Sequence, residues 1–114
     1  MKSCEINPLV QPLIDRKGYS GLMLIPRKIY YEWVRYVIPE SDYLNEKEAE
    51  VFLLPQFDSV EKSEEFCELF FDLFFQYKLK KCSDDPAFWP VNRNYEMFHQ
   101  WFDVRITAIV STLM

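Results

Sequence analysis

The sequence contains very little glycine, histidine and cysteine, and each shortage excludes a class of protein. Glycine occupies two of the 114 positions, whereas dinucleotide fingerprints and P-loops need several glycines where backbone approaches phosphate. Three widely separated cysteines (Cys4, Cys67 and Cys82) and a single histidine provide neither a disulfide framework nor a zinc site. We therefore expect no nucleotide-dependent enzyme of these types, no metal and no cofactor.

Long hydrophobic runs are also missing. The segment from Met1 to Glu5 begins no apolar stretch of the kind that signal peptides contain. No later run approaches the roughly 18–20 residues that span a bilayer. The expected location is the cytoplasm, with no membrane partner.

Aromatic residues are abundant, at 18% of the chain. Because each large ring buries about 150–250 Å², a short chain with this composition can still build a substantial core. The length is that of one domain. We expect a single domain over 1–114, in which Pro8, Pro12 and Gly18 make residues 1–19 an irregular arm.

Three segments have the composition of strands. Apolar runs at 21–25 and 51–54 are each followed by a proline, which is typical of short buried strands. The segment 104–112 is rich in β-branched residues and predicts a third strand. The acidic stretch 39–50 is expected to be a solvated loop, with a short helical piece at 45–50.

Three further segments have helical spacing of apolar residues. The first is 27–38, with Pro26 suited to its first turn. The second begins at a cap at Asp58 or Ser59 and ends near Lys81, and the third begins at Asn92 or Asn94 and ends near position 102. The order β-α-β-α-α-β predicts an α+β fold with a small three-stranded sheet and two to three helices packed on it.

The net charge of −5 is concentrated in the middle of the chain. Residues 39–75 carry eleven acidic and two basic side chains, a distribution that repels nucleic acid and favours a basic protein partner. We expect an acidic docking face like that of an immunity or antitoxin-like inhibitor of a cationic protein. Its candidate residues are Glu46, Glu48, Glu50, Asp58, Glu61, Glu65, Glu68 and Asp72.

The second predicted helix is apolar around most of its circumference. One narrow stripe of its surface holds Glu61, Glu65, Glu68, Asp72 and Gln76. Nearly all other residues of 66–77 are apolar. Such a helix is covered on more than one side, either as the central helix of the domain or in a subunit interface. A non-catalytic interaction protein, possible as a homodimer, is the leading expectation.

A pocket near the third predicted helix is the alternative. Glu96 and Asp103 lie three residues before and four residues after His99, so that all three share one helical face. Metal binding fails on ligand count, and no nucleophile has its own motif. The alternative function is a small-molecule-binding or hydrolase-like domain with a pocket near Trp89, Arg93, Tyr95 and His99.

One C-terminal stretch has the pattern W-P, an arginine, then F-x-x-W-F-[DE] and a β-rich tail, at Trp89, Pro90, Arg93, Phe98, Trp101, Phe102 and Asp103. With this pattern the chain resembles a group of small bacterial proteins to which no activity is assigned. The segment from Leu54 to Asp58, followed by an acidic helix, is also similar. The group tends to carry His-Ser where this chain has Ile106-Thr107, and no functional residue is transferred.

Overall fold

A computed structural model describes residues 18–41 and 48–111. The described residues form three strands and three helices in the predicted order, which confirms the α+β fold. The strands are β1 (Tyr19–Pro26), β2 (Glu50–Leu54) and β3 (Phe102–Val110), and the helices are α1 (Lys28–Val37), α2 (Val60–Lys80) and α3 (Tyr95–Trp101). Of the predicted irregular arm, residues 1–17 lie outside the described residues, whereas Tyr19 belongs to β1.

The sheet is antiparallel in the order β2-β1-β3. The central strand is therefore β1, the one strand of the three without a charged residue. Leu22 pairs with Phe52 on one side and with Ile106 on the other, so these side chains share the face that the helices cover. Met23, Val51 and Arg105 are paired in the same way and share the opposite, outer face.

Gly21 is required where β1 meets the end of β3. A Cβ atom at this position would lie 2.7 Å from Cγ2 of Val110 and 3.2 Å from Cγ2 of Thr107. The register between β1 and β3 also shifts between Tyr19 and Gly21. The absence of a side chain at Gly21 lets the two strands stay paired across this irregularity.

Helix α1 begins one residue later than expected. Pro26 was expected in its first turn, but the structure places Pro26 at the end of β1, paired with Phe102. The expectation was wrong because the following backbone is still extended at Arg27, whose N–H donates to the carbonyl of Trp101 at 2.8 Å. This hydrogen bond joins the entry of α1 to the end of α3.

The caps of the other helices select between the predicted alternatives. Ser59 caps α2 by accepting a hydrogen bond from the N–H of Lys62, and Asn94 caps α3 by accepting one from Met97. Asn92 instead adopts a positive φ of 56° in the turn before α3. The connector before it also contains a 3₁₀ turn at Pro86–Phe88, which apolar periodicity does not reveal.

Further boundary predictions differ from the structure. The helical piece expected at 45–50 is wrong where it is described, because Glu48 and Ala49 have no regular structure and Glu50 begins β2. Positions 42–47 of this segment lie outside the described residues. Strand β3 begins at Phe102 rather than at position 104, since pairing with Pro26 extends the ladder to the end of α3.

An aromatic core fixes the helices on the sheet. Phe75 of α2 is fully buried, and its ring centroid lies 5.4–5.7 Å from those of Phe98, Trp101 and Phe102. Tyr30 of α1 lies 5.1 Å from Phe102 in the same cluster. Aromatic burial of this kind is the main source of stability in a domain of this size.

Candidate protein-binding site

The long helix α2 changes its surface at a kink. Phe70 has non-helical backbone angles (φ −114°, ψ 17°), and we call the turns before it the acidic half of α2 and those after it the apolar half. The predicted stripe of exposed carboxylates ends before the kink, because Asp72 beyond it is partly buried and bound by Arg93.

Exposed carboxylates cover the acidic half. Glu61, Glu64, Glu65 and Glu68 are exposed, and no lysine or arginine among the described residues forms an ion pair with any of them. Leu69, beside them, is 74% exposed. This half is therefore a surface with a net negative charge and an apolar side chain at its edge.

Three of the other predicted acids lie before α2. Glu48 and Asp58 are exposed, and Asp58 lies 3.6 Å from the ammonium of Lys62 in a solvent-exposed pair that contributes little stability. Glu46 lies outside the described residues. The structure therefore assembles part of the predicted acidic face, around Glu61, Glu65 and Glu68.

Asp72 is engaged within the molecule. Its carboxylate accepts two hydrogen bonds from Arg93, at 2.8 and 3.1 Å, and one from Gln76 at 2.7 Å. The hydrogen bonds from Arg93 hold the pKa of Asp72 below its ordinary value, against a smaller opposite effect of burial. Asp72 is thus an anchor for the loop before α3, and its charge is already neutralised.

Glu50 is neutralised in a second cluster. One carboxylate oxygen accepts hydrogen bonds from Lys78 and Lys81, both at 2.9 Å, and the Lys78 side chain is only 7% exposed. Burial raises the pKa of Glu50, but the hydrogen bonds and charges of the two lysines outweigh burial and lower it. The same contact raises the pKa of Lys81.

The four residues of the alternative pocket lie in two pairs. The Arg93 guanidinium lies 5.6 Å from the centroid of the buried Trp89 ring, and its Nη1 also donates to the carbonyl of Pro90 at 3.0 Å. One turn into α3, the Tyr95 and His99 rings meet edge-on at 4.5 Å. The contacts of Arg93 anchor the loop before α3, and the contact between Tyr95 and His99 is ring packing.

The predicted acids around His99 do not converge on its ring. Glu96 is exposed on α3, while Asp103 lies in β3 and accepts hydrogen bonds from Arg105 at 3.0 and 3.3 Å. Among the described residues, no group of three or more His, Cys, Asp or Glu side chains is placed to hold a metal ion. Nothing in this geometry assembles an acid–base pair at His99.

A groove between β2 and α2 was not predicted. It is lined by Glu50, Val51, Phe52, Leu53, Leu73, Phe74 and Tyr77. Leu73 and Tyr77 are 64% and 47% exposed, and the Phe52 ring lies 5.3 Å from Phe74 and 5.2 Å from Tyr77. The sequence signalled this groove only through the second predicted helix, which is apolar around most of its circumference. That pattern does not show which side of the helix stays exposed to solvent.

Comparison with other proteins does not assign the site. No protein-family model, curated protein or solved structure matches the chain. Within the described part of the chain, no helix is both long enough and apolar enough to cross a membrane. The functional argument therefore rests on the surfaces described above.

Proposed function

We propose that this protein is a non-catalytic interaction module of the cytoplasm that binds a basic protein through the acidic half of α2. The observation that carries the proposal is the set of exposed, unpaired carboxylates beside the exposed Leu69. Protein interfaces commonly combine an apolar centre with a polar rim. Glu61, Glu65 and Glu68 would supply the rim, and Leu69 would supply an apolar contact.

The contrast between engaged and unengaged carboxylates supports this surface. Asp72 and Glu50 are both bound by cationic side chains of the same molecule. On the acidic half, the pairs Glu61–Glu65 and Glu64–Glu68 instead place like charges four residues apart. Each such pair destabilises a helix by roughly 0.2–0.5 kcal/mol, a repulsion that a basic partner would relieve.

The position of Glu61 in the helix offsets part of the stability lost through like-charge repulsion. Glu61 lies in the first turn, where a negative charge interacts favourably with the helix dipole. The acidic surface is thus compatible with a stable free protein.

Charge of one sign at an interface increases the rate of association with an oppositely charged partner, and salt screens this effect. An inhibitor of a cationic protein, as immunity proteins and antitoxins are, would use these properties.

The test is affinity capture from native lysate with three matched baits. They are the wild type, an acidic-half variant (Glu61→Lys, Glu65→Lys and Glu68→Lys) and a charge-matched control (Glu32→Lys, Asp84→Lys and Glu96→Lys), in which all substituted positions are exposed. We expect one basic protein to be held by the wild type and the control, released by moderate salt and lost with the acidic-half variant. Titration calorimetry with that purified partner should show binding to the wild type and the control, and no binding to the acidic-half variant.

Two results would contradict the proposal. One is equal capture by the acidic-half variant and the control, which would show that the acidic half is not the contact surface. The other is the absence of any salt-released basic protein. The small-molecule alternative near Trp89, Arg93, Tyr95 and His99 stays a prediction, and a thermal-shift panel of metabolites tests it separately.

A further inference from the structure

Among the residues that the structure describes, strand β2 forms a sheet edge with few guarding features. The strand order places β2 and β3 at the two edges, and no strand of the described residues pairs with the outer side of either. Proteins commonly guard such edges with charged side chains, prolines or bulges. Strand β3 carries Asp103 and Arg105 and has a register irregularity against β1, whereas β2 has Glu50 as its one charged residue.

The charge of Glu50 does not guard the edge. Its carboxylate is directed to the helix side of the sheet, where Lys78 and Lys81 bind it. A chain that paired with β2 would therefore meet no unpaired carboxylate within the strand. The remaining residues, Val51 to Leu54, are all apolar.

Exposed apolar side chains flank this edge on both faces of the sheet. Val51 and Leu53 are 52% and 55% exposed on the outer face. Leu73 and Tyr77 are exposed on the helix side, along the groove between α2 and β2. The free backbone edge and the two apolar surfaces form one continuous patch, which we call the β2 edge patch.

We propose that the β2 edge patch binds a second copy of this chain through antiparallel pairing of the two β2 strands. A two-fold axis through Phe52 places Val51 of each copy opposite Leu53 of the other, so two exposed apolar pairs form at once. This pairing keeps the helix-covered faces of both copies on the same side of a six-stranded sheet. Leu73 and Tyr77 of each copy then border the seam.

The symmetry of the patch is the reason to choose a second copy. A two-fold interface requires a surface that is complementary to itself, and the arrangement of Val51 and Leu53 about Phe52 meets that requirement. With Glu50 bound by Lys78 and Lys81, strand β2 itself offers no unpaired charge that would select a foreign strand. The proposal is independent of the acidic half of α2, so either of the two proposals can fail alone.

The first test is sedimentation equilibrium of the wild type and two lysine variants. Leu53→Lys adds a charge to the β2 edge, and Ile109→Lys adds the same charge to the other edge strand at a position that is 74% exposed. We expect a wild-type dimer whose dissociation constant rises at least about tenfold in Leu53→Lys and is unchanged in Ile109→Lys. Equal thermal midpoints of the monomers would show that both variants fold.

The second test fixes the register. Directly opposed residues of antiparallel strands have Cβ atoms about 4.5–5.5 Å apart, close to the separation that a disulfide needs. The double variant Val51→Cys with Leu53→Cys should give a dimer whose disulfides join position 51 of one copy to position 53 of the other, by peptide mass spectrometry. A Thr107→Cys with Ile109→Cys variant is the control and should not crosslink.

Three outcomes would overturn the proposal. The wild type would be monomeric at all concentrations up to about 1 mM, or the Ile109→Lys variant would weaken the dimer as much as Leu53→Lys does. Alternatively, a monomeric wild type would bind an extended peptide of another protein in a manner that Leu53→Lys abolishes. That last result would assign the same edge to a foreign strand.

Discussion

The two halves of α2 are attached to the rest of the molecule in different ways. In the acidic half, the buried side chains are small: Ser63 and Cys67 are fully buried, and Ser63 Oγ donates to Ser20 Oγ of β1 at 3.2 Å. In the apolar half, Phe75 and Leu79 are fully buried. Asp72 and Lys78 of this half form ion pairs with the side chains of Arg93 and Glu50. One helix thus combines a lightly attached half with a strongly attached half.

The way each half is held decides whether its charged side chains are available to a partner. Where the helix is held by large apolar and ionic contacts, its Asp72 and Lys78 are engaged inside the molecule and much of its exposed side is apolar. Where it is held by small side chains and serine hydroxyls, its charges face solvent. We infer that the two halves suit two kinds of partner, a basic protein and a second copy of the chain.

The largest expected effect concerns the aromatic anchor of the apolar half. Phe75→Ala should lower the free energy of unfolding by about 3–5 kcal/mol, because it removes a fully buried ring and leaves a cavity between three aromatic neighbours. Phe66→Ala, in the acidic half, should cost about 1–2 kcal/mol because that ring is half-buried against Phe57 and Phe70. Urea denaturation measures both losses.

Equal losses of unfolding free energy in Phe75→Ala and Phe66→Ala would contradict the conclusion that the apolar half is attached more strongly than the acidic half. Leu69→Ala is a useful control, since its side chain is 74% exposed and its removal should change the free energy of unfolding by less than about 0.5 kcal/mol. A large loss in that variant would mean that Leu69 packs against structure in solution.

The next effect concerns the ionic anchor of the apolar half. Asp72→Asn keeps the shape of the side chain but removes its charge, and should cost about 1–2 kcal/mol at neutral pH through its contact with Arg93. The pKa of Asp72 is lowered in the folded protein. Its stabilising contribution is therefore present above the unfolded pKa of about 4 and is lost as the pH falls through the folded value.

The acid limb of the stability curve tests this sign. Glu50 also has a lowered pKa, and its contribution disappears in the same direction. The free energy of unfolding of the wild type should fall as the pH decreases below about 5, and the fall should be shallower in Asp72→Asn. Parallel curves for the two proteins would show that the Asp72–Arg93 contact has no net electrostatic value.

The smallest expected effect on stability lies in the acidic half. Replacing Glu61 and Glu65 together by Gln removes their like-charge contacts and one favourable interaction with the helix dipole. These effects oppose each other, so the free energy of unfolding should change by less than about 0.5 kcal/mol. Thermal unfolding at low and high salt measures it. A loss above 1 kcal/mol would place these carboxylates in structural contacts and remove them from the proposed docking surface.

The element order could be predicted from the sequence because each element carries a local signal. Each of these signals determines the structure of only the few residues around it. They are the apolar run 21–25, the caps at Ser59 and Asn94 and the β-branched tail. The kink at Phe70 carries no such signal, since neither proline nor glycine marks it. Pro26 was misplaced because proline suits both the first turn of a helix and the end of a strand.

The site was harder to predict for a physical reason. Whether a carboxylate is available depends on partners that are distant in sequence: Arg93 lies 21 residues from Asp72, and Lys78 lies 28 residues from Glu50. Charge counting treats these two acids like Glu61 and Glu65, which have no such partner. The β2 edge patch was missed for a related reason, because the apolar run 51–54 indicates a strand without showing whether it lies at an edge.

The thiol of Cys67 provides an internal reporter of local opening. It is fully buried beneath the acidic half of α2, and burial, together with the nearby Glu64, raises its pKa to about 11. Since the thiolate is the reactive form, an alkylating reagent should modify Cys67 only when this half of the helix moves away from the sheet. The rate of that modification would measure the free energy of a partial unfolding event that leaves the aromatic core intact.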